Sequence, residues 1–145
     1  MENKMKIEFA ARAENEAFAR SATAAFVSVL DPTIEELTEI KTGVSEAVSN
    51  SIIHGYHEDP SQTVILECEI RAGGKIILTV RDEGVGIEDV GRAREPMFTT
   101  GKAEERSGMG FTVMESFMDR VEVASRTGEG TTVTMTKQLD ISNDC

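Results

Sequence analysis

The chain has 145 residues, a length that suits one domain around one core, and its 39% apolar and 28% charged residues are those of a soluble globular protein. Its formal charge of −11, from 26 acidic against 15 basic residues, repels phosphate backbones and argues against direct binding of nucleic acid. No apolar run is long enough to span a membrane, and "MENKMKIEFA" lacks the apolar core of a signal peptide, so the chain is expected in the cytoplasm with no membrane contact.

In chain order, "MKIEFAA" from Met5 alternates apolar and polar residues and reads as a strand. From Glu14 to Leu30, Ala17, Phe18, Ala22, Ala25, Phe26 and Val29 recur at helical spacing. Pro32 breaks that helix, and Thr33 with Glu36 has the spacing of a capping box for the next. The second helix is expected from Ile34 to His54, ended by Gly55, with an apolar stripe of Leu37, Ile40, Val44, Val48 and Ile52. Strands over 63–71 and 75–81 joined by "AGGK" make a hairpin. A loop-rich stretch from Asp82 to Gly108 holds one short helix near 88–94. Gly110 opens a third long helix with Phe111, Met114, Phe117 and Met118 on its buried face, and "VEVASRTGEGTTVTMTKQL" closes the chain as a second hairpin. Hairpins with segregated helices indicate an α+β fold: a two-layer α/β sandwich with a mixed, mostly antiparallel sheet covered by helices on one face, in a single domain over 1–145. Cys68, in a strand, and Cys145, the last residue, make neither a disulfide framework nor a zinc site.

Four stretches carry groups suited to chemistry. In "SEAVSNSIIHGY" (45–56), Glu46, Asn50 and His54 follow one edge of the second helix, nearly opposite its apolar stripe. An amide oxygen at Asn50 suits Mg2+, a carboxylate at Glu46 can take a proton from an attacking hydroxyl, and His54 can reach a phosphate or cap the helix. "RDEGVGI" (81–87) puts Asp82 at a strand end, where a carboxylate can accept from an exocyclic amine such as that of adenine, and Gly84 and Gly86 let a flat ring approach the main chain. "RSGMGF" (106–111) combines Arg106 with Gly108 and Gly110 at a helix start, an arrangement that suits phosphate oxygens. Between them "EPMFTTGKAEE" (95–105) is long and polar, as a lid or binding segment is. Taken singly, "RDEGVGI" reads better as an ordinary turn and Glu46 with Asn50 better as a solvated helix face; in combination the four stretches favour a site.

The order of these motifs, completed by "FTT" and "GEGTTV" (128–133), resembles the N-box, glycine boxes and lid of the GHKL ATP-binding superfamily with the Bergerat fold. Within it, "NEAFAR", "LDPTIEELTEIKTGVSEAVSN" and "RSGMGFTVMESFMD" resemble the anti-sigma serine kinases of spore-forming bacteria over nearly the whole length. The resemblance implies ATP and Mg2+ as cofactors, with Asn50 on the metal and Glu46 as general base. It implies that Asp82 reads the adenine amine, supported by Gly84, Gly86 and Thr131, and that Thr99, Thr100, Arg106, Ser107, Gly108 and Gly110 belong to the lid and phosphate-binding segments. It further implies a homodimer that binds a sporulation sigma factor of the sigma F type in its ATP form and phosphorylates a serine of an anti-anti-sigma factor, with Arg20 an exposed candidate for partner contact. The alternative is a binding module that uses nucleotide as a switch without phosphotransfer. The sequence departs from relatives at Ser51, where they often carry Ala, a change that barely alters size, and at Gly101 and Lys102 in the lid, where a Pro commonly follows the Lys.

Overall fold

The structure is a computed structural model that describes residues 2–87 and 105–140, with the backbone alone over 105–110. Strand β1 (Asn3–Ala10) leads into helix α1 (Asn15–Val27), a 3-10 turn (Ser28–Leu30) and helix α2 (Ile34–Ser49), which continues as a π-wound segment (Asn50–Gly55). Strands β2 (Thr63–Arg71) and β3 (Lys75–Asp82) form the first hairpin; helix α3 (Glu105–Phe117) precedes the second, β4 (Arg120–Arg126) and β5 (Gly130–Gln138). The five strands lie in the order β1-β2-β3-β5-β4, and each neighbouring pair is antiparallel.

Alternation along the strands decides which face is covered. On β2, Val64, Leu66, Cys68 and Ile70 are buried, and on β3, Ile76, Leu78 and Val80 are buried with them. All of these but Ile70 meet Ile40, Val44, Val48 and Ile52 of α2 and Phe111 and Met114 of α3 in one core. The period-2 pattern of the strands and the 3.6-residue pattern of α2 thus bury their apolar sets against each other. The other sheet face carries charge pairs across strands, with Lys4 opposite Glu69 and Lys6 opposite Glu67. Cys68 sits in the core, where burial pushes its thiol up to about 12. No helix among the described residues is long and apolar enough to cross a membrane.

The capping box is present: Thr33 N–H donates to Glu36 Oε1 at 2.9 Å and Glu36 N–H to Thr33 Oγ1 at 3.0 Å. Glu36 also accepts from Asp140 N–H at 3.0 Å, so the start of α2 holds the chain just beyond β5. That backbone donor, foremost, keeps the Glu36 carboxyl below its ordinary range.

Two expectations need correction. In α1 the buried residues are Ala19, Thr23 and Val27, whereas Phe18, and Val29 of the 3-10 turn that ends the helix early, are each 55% exposed. Small and apolar residues surround that helix on most sides, so spacing alone does not select the packed face. Helix α3 begins at Glu105, not at Gly110, so Gly108 and Gly110 lie inside its first turns. A glycine costs a helix roughly 1 kcal/mol relative to alanine; it weakens the helix without ending it, and the burial of Phe111 and Met114 anchors the element. The short helix near 88–94, the stretch 95–104 and Cys145 lie outside the described residues.

Lys137 is the one charged β5 side chain turned into the helix layer, and it joins three elements. Its Nζ lies 2.6 Å from Glu39 Oε1 on α2 and donates to the Phe117 carbonyl at the end of α3 at 2.8 Å. A cation at a helix C-terminus is favourable, and no basic residue of α3 itself supplies one. Lys137→Met keeps most of the apolar stem but leaves Glu39 and that carbonyl without the ammonium. Loss of one partner of a buried pair costs roughly 3 kcal/mol, so urea unfolding of this variant should show a clearly lower midpoint with an unchanged slope. A midpoint equal to the parent's would show that the pair contributes nothing net.

Candidate active site

The end of α2 and the end of β3 are locked together by backbone contacts. Tyr56 follows the π-wound segment; its hydroxyl accepts from Glu83 N–H at 2.6 Å and donates to the Thr63 carbonyl at 2.9 Å. Val85 N–H donates to the Gly55 carbonyl at 3.0 Å. A Cβ at Gly84 would stand 2.0 Å from that same carbonyl oxygen, so only glycine lets the strand end come this close. Gly86, at φ 78, faces the Arg126 carbonyl, where a Cβ would also stand 2.0 Å away. Ile87 N–H donates to Ser125 Oγ at 2.7 Å, and Ser125 Oγ lies 2.8 Å from Thr131 Oγ1. The "DEGVGI" turn is therefore clamped between α2 and the β4–β5 hairpin.

Asp82 is the centre of this junction and is only 4% exposed. Oδ2 accepts from Ser51 Oγ at 2.7 Å, Oδ1 accepts from Gly84 N–H at 2.9 Å, and the backbone N–H of Thr131 donates to the carboxylate as well. Burial nevertheless raises the Asp82 carboxyl above its ordinary 3.8, with the three donors opposing that shift. Tyr56 is raised too, chiefly by burial.

A cleft of about 380 Å³, its open mouth included, lies between these elements. Its walls are Ala47, Ile87, Phe111 and Val133, and Asn50, Ser51, His54, Asp82 and Thr131 supply its polar atoms. Apolar walls with a few convergent polar groups are what a flat organic ring needs. Asn50 Nδ2 is buried and has no hydrogen-bond partner among the described residues. A buried amide left without a partner costs stability unless something binds it. Turned over about its last bond, the same amide presents its oxygen to the same place. Among the described residues no group of three or more His, Cys, Asp or Glu side chains could hold a metal by itself. A single amide oxygen fits a cation that keeps its waters and takes phosphate oxygens, as Mg2+ does.

The structure thus brings together Asn50, His54, Asp82, Gly86 and Thr131 on one cleft, with Gly84 directly behind Asp82. Glu46 is half-buried one turn before Asn50, whose backbone N–H donates to the Glu46 carbonyl; its side chain does not line the cleft. Arg20 is partly exposed and lies 3.2 Å from Glu16 on its own helix. Arg106, Ser107, Gly108 and Gly110 are placed as backbone in the first turns of α3, and Thr99 and Thr100 lie outside the described residues. Sequence reasoning missed Tyr56, Ile87 and Ser125. It also read Ser51 by size, although the hydroxyl is what matters there.

A model of the histidine kinase-like ATPase domain matches residues 9–137. The chain belongs to the histidine kinase-like ATPase domain family. Curated relatives include the anti-sigma F factors of Oceanobacillus iheyensis, 58% identical over 98% of this chain and 97% of that protein, and of Clostridium perfringens, 56% identical over 97% and 99%. Among solved structures, the RsbU and RsbW domains of a Mycobacterium tuberculosis protein superpose with a TM-score of 0.68, at 19% identity, over 94% of this chain and 32% of that one. A blue-light activated histidine kinase of Erythrobacter litoralis superposes over 86% of this chain and 60% of its kinase domain structure, with a TM-score of 0.56 and 22% identity. These two structures share the fold: the antiparallel sheet with its helices on one face is that of this ATPase family.

Asp82→Asn exchanges one acceptor oxygen for a donor and should weaken ATP binding about tenfold to a hundredfold, since a hydrogen bond to a charged group is worth roughly 1.5–3 kcal/mol. The same change should affect stability in the opposite direction. Because the folded chain holds the Asp82 proton more tightly than the unfolded chain, the stability tied to this group is full at acid pH and is lost as pH rises through the raised folded value. Nucleotide-free Asp82→Asn lacks that loss. Its melting temperature should therefore rise relative to the parent's as pH climbs above the ordinary carboxylate range. Calorimetry showing unchanged ATP affinity, or a melting difference that does not vary with pH, contradicts the respective half.

Proposed function

We propose that the chain is an anti-sigma factor and an ATP-dependent protein-serine kinase: it holds a sigma factor of the sporulation sigma F type in its ATP form and phosphorylates a serine of an anti-anti-sigma factor. The observation that carries the enzymatic half is the pairing, in one cleft, of a buried acceptor carboxylate at Asp82 with a buried, unpartnered amide at Asn50, one helical turn from Glu46. Near-full-length similarity to the anti-sigma F factors supports the partner half.

In this reading the adenine amine donates to Asp82 while Ile87, Phe111 and Val133 enclose the ring. Asn50 faces the phosphates and holds Mg2+, which when bound neutralises charge on the phosphate oxygens. By the motif resemblance, Thr99, Thr100, Arg106, Ser107, Gly108 and Gly110 serve the phosphates, together with His54 of the cleft. The substrate serine gives its proton to Glu46 as its oxygen bonds the γ-phosphorus; the bond from that phosphorus to the bridging oxygen breaks, and ADP departs. Proper placement of charge does most of this work, because phosphoryl transfer asks for little covalent chemistry from the protein. Arg20, held by Glu16 on the exposed side of α1, is placed to meet a protein partner. The functional unit is a homodimer in the cytoplasm.

Incubation with labelled ATP and the anti-anti-sigma protein should give phosphoserine on that protein. Glu46→Ala should keep ATP affinity and lose about 10²–10⁴-fold in transfer rate. Asn50→Ala should weaken nucleotide binding in the presence of Mg2+ and much less in its absence. Normal transfer by Glu46→Ala would remove Glu46 as the base. Nucleotide-dependent sigma binding without any phosphoserine would instead identify a switch without phosphotransfer.

A further inference from the structure

Ser51 and Asp82 lie 31 residues apart in sequence, and both are 4% exposed. A serine hydroxyl has one hydrogen. Here it is directed to Asp82 Oδ2 at 2.7 Å. What Ser51 then presents to the cleft is lone pairs. Asp82, with Gly84 N–H on Oδ1 and the Thr131 N–H as a further donor, also has only acceptor capacity left. The Ser51 and Asp82 side chains can therefore receive a donor and have none to offer.

We propose that Ser51 determines nucleobase specificity: by committing its only hydrogen to Asp82, it keeps the Ser51–Asp82 pair acceptor-only, so that a 6-aminopurine is admitted and a 6-oxopurine is refused. The proposal rests on the reading of Asp82 as the adenine contact. A base carbonyl placed where the amine belongs would meet lone pairs with no hydrogen between, and its own solvation would be lost unreplaced. Without the Ser51 hydroxyl, the buried carboxyl keeps fewer donors to hold it ionised, and a protonated Asp82 can donate to a carbonyl. The other ionisable groups near the carboxyl are Tyr56, Glu83 and His54. The Tyr56 hydroxyl is engaged with Glu83 N–H and the Thr63 carbonyl; Glu83 is exposed, and His54 lines the cleft from α2. The β4–β5 hairpin faces Asp82 with Thr131, and the described side chains of α3 meet the cleft through Phe111.

The probes are ATP and inosine triphosphate, which differ at the 6-position of the purine by an amine against a carbonyl. Affinities are measured by calorimetry on the parent, Ser51→Ala and Ser51→Cys, the last close to serine in size with a weak donor. The parent should prefer ATP by about tenfold to a hundredfold. Both variants should reduce that preference by about tenfold, through weaker ATP binding and stronger binding of inosine triphosphate. A general loosening of the fold would lower both affinities and leave their ratio alone. A ratio within about twofold of the parent's in whichever variant folds overturns the role of Ser51, since that is well below the tenfold of one pKa unit. Equal affinities in the parent are a different failure: they overturn the adenine reading of Asp82 itself.

Discussion

Gly55 and Gly84 meet where α2 ends and β3 turns away from the sheet. The Gly55 carbonyl accepts from Val85 N–H at 3.0 Å, in space that any side chain on Gly84 would fill. Everything that makes the cleft a site depends on this approach. It carries Asp82 to Ser51, and it fixes how far Asn50 stands from the carboxylate. The π-wound segment contributes to the same end: Tyr56 N–H reaches back to the Ser51 carbonyl at 3.0 Å, five residues earlier, which widens the last turn of the helix. Wide turns of this kind are rare in helices and concentrate where side chains must be aimed at a ligand.

The junction is held by polar groups that serve stability poorly. A buried carboxylate costs more in lost hydration than its hydrogen bonds return, as the raised Asp82 carboxyl records. A buried amide nitrogen at Asn50 adds to that cost. The core compensates elsewhere. Leu66, Ile76, Leu78 and Met135 of the sheet are sealed from water in the core with α2 and α3, and Lys137 ties both helices to β5. The stable part of the molecule and the working part thus share α2: its first four turns pack, and its last turn presents polar groups.

Much of this was legible in the sequence where one local rule governed each residue. Thr33 and Glu36 cap α2 as their spacing requires, and the "AGGK" turn between two strand-like runs marked the β2–β3 hairpin. Asn50, His54, Asp82 and Thr131 were each suggested by chemistry and motif order, and they line one cleft. Local rules failed where several residues satisfied them at once, as in α1, whose exposed Phe18 is as apolar as its buried Val27. They failed again at Gly108 and Gly110, where a weak helix former was read as a boundary. The Ser51–Asp82 hydrogen bond and the Tyr56 hydroxyl that fastens Glu83 are products of tertiary approach, and no spacing within α2 announces them.

The account stands on the cleft between the end of α2 and the end of β3 being the place where ATP binds. Amide chemical shifts recorded during titration with ATP and Mg2+ test this most directly. The account predicts saturable shifts at Ser51, Gly55, Gly84, Gly86 and Thr131, with Lys4, Lys6, Thr79 and Thr134 on the open sheet face unmoved. Saturable shifts centred on that open face, with Gly84 and Thr131 unchanged, would contradict it.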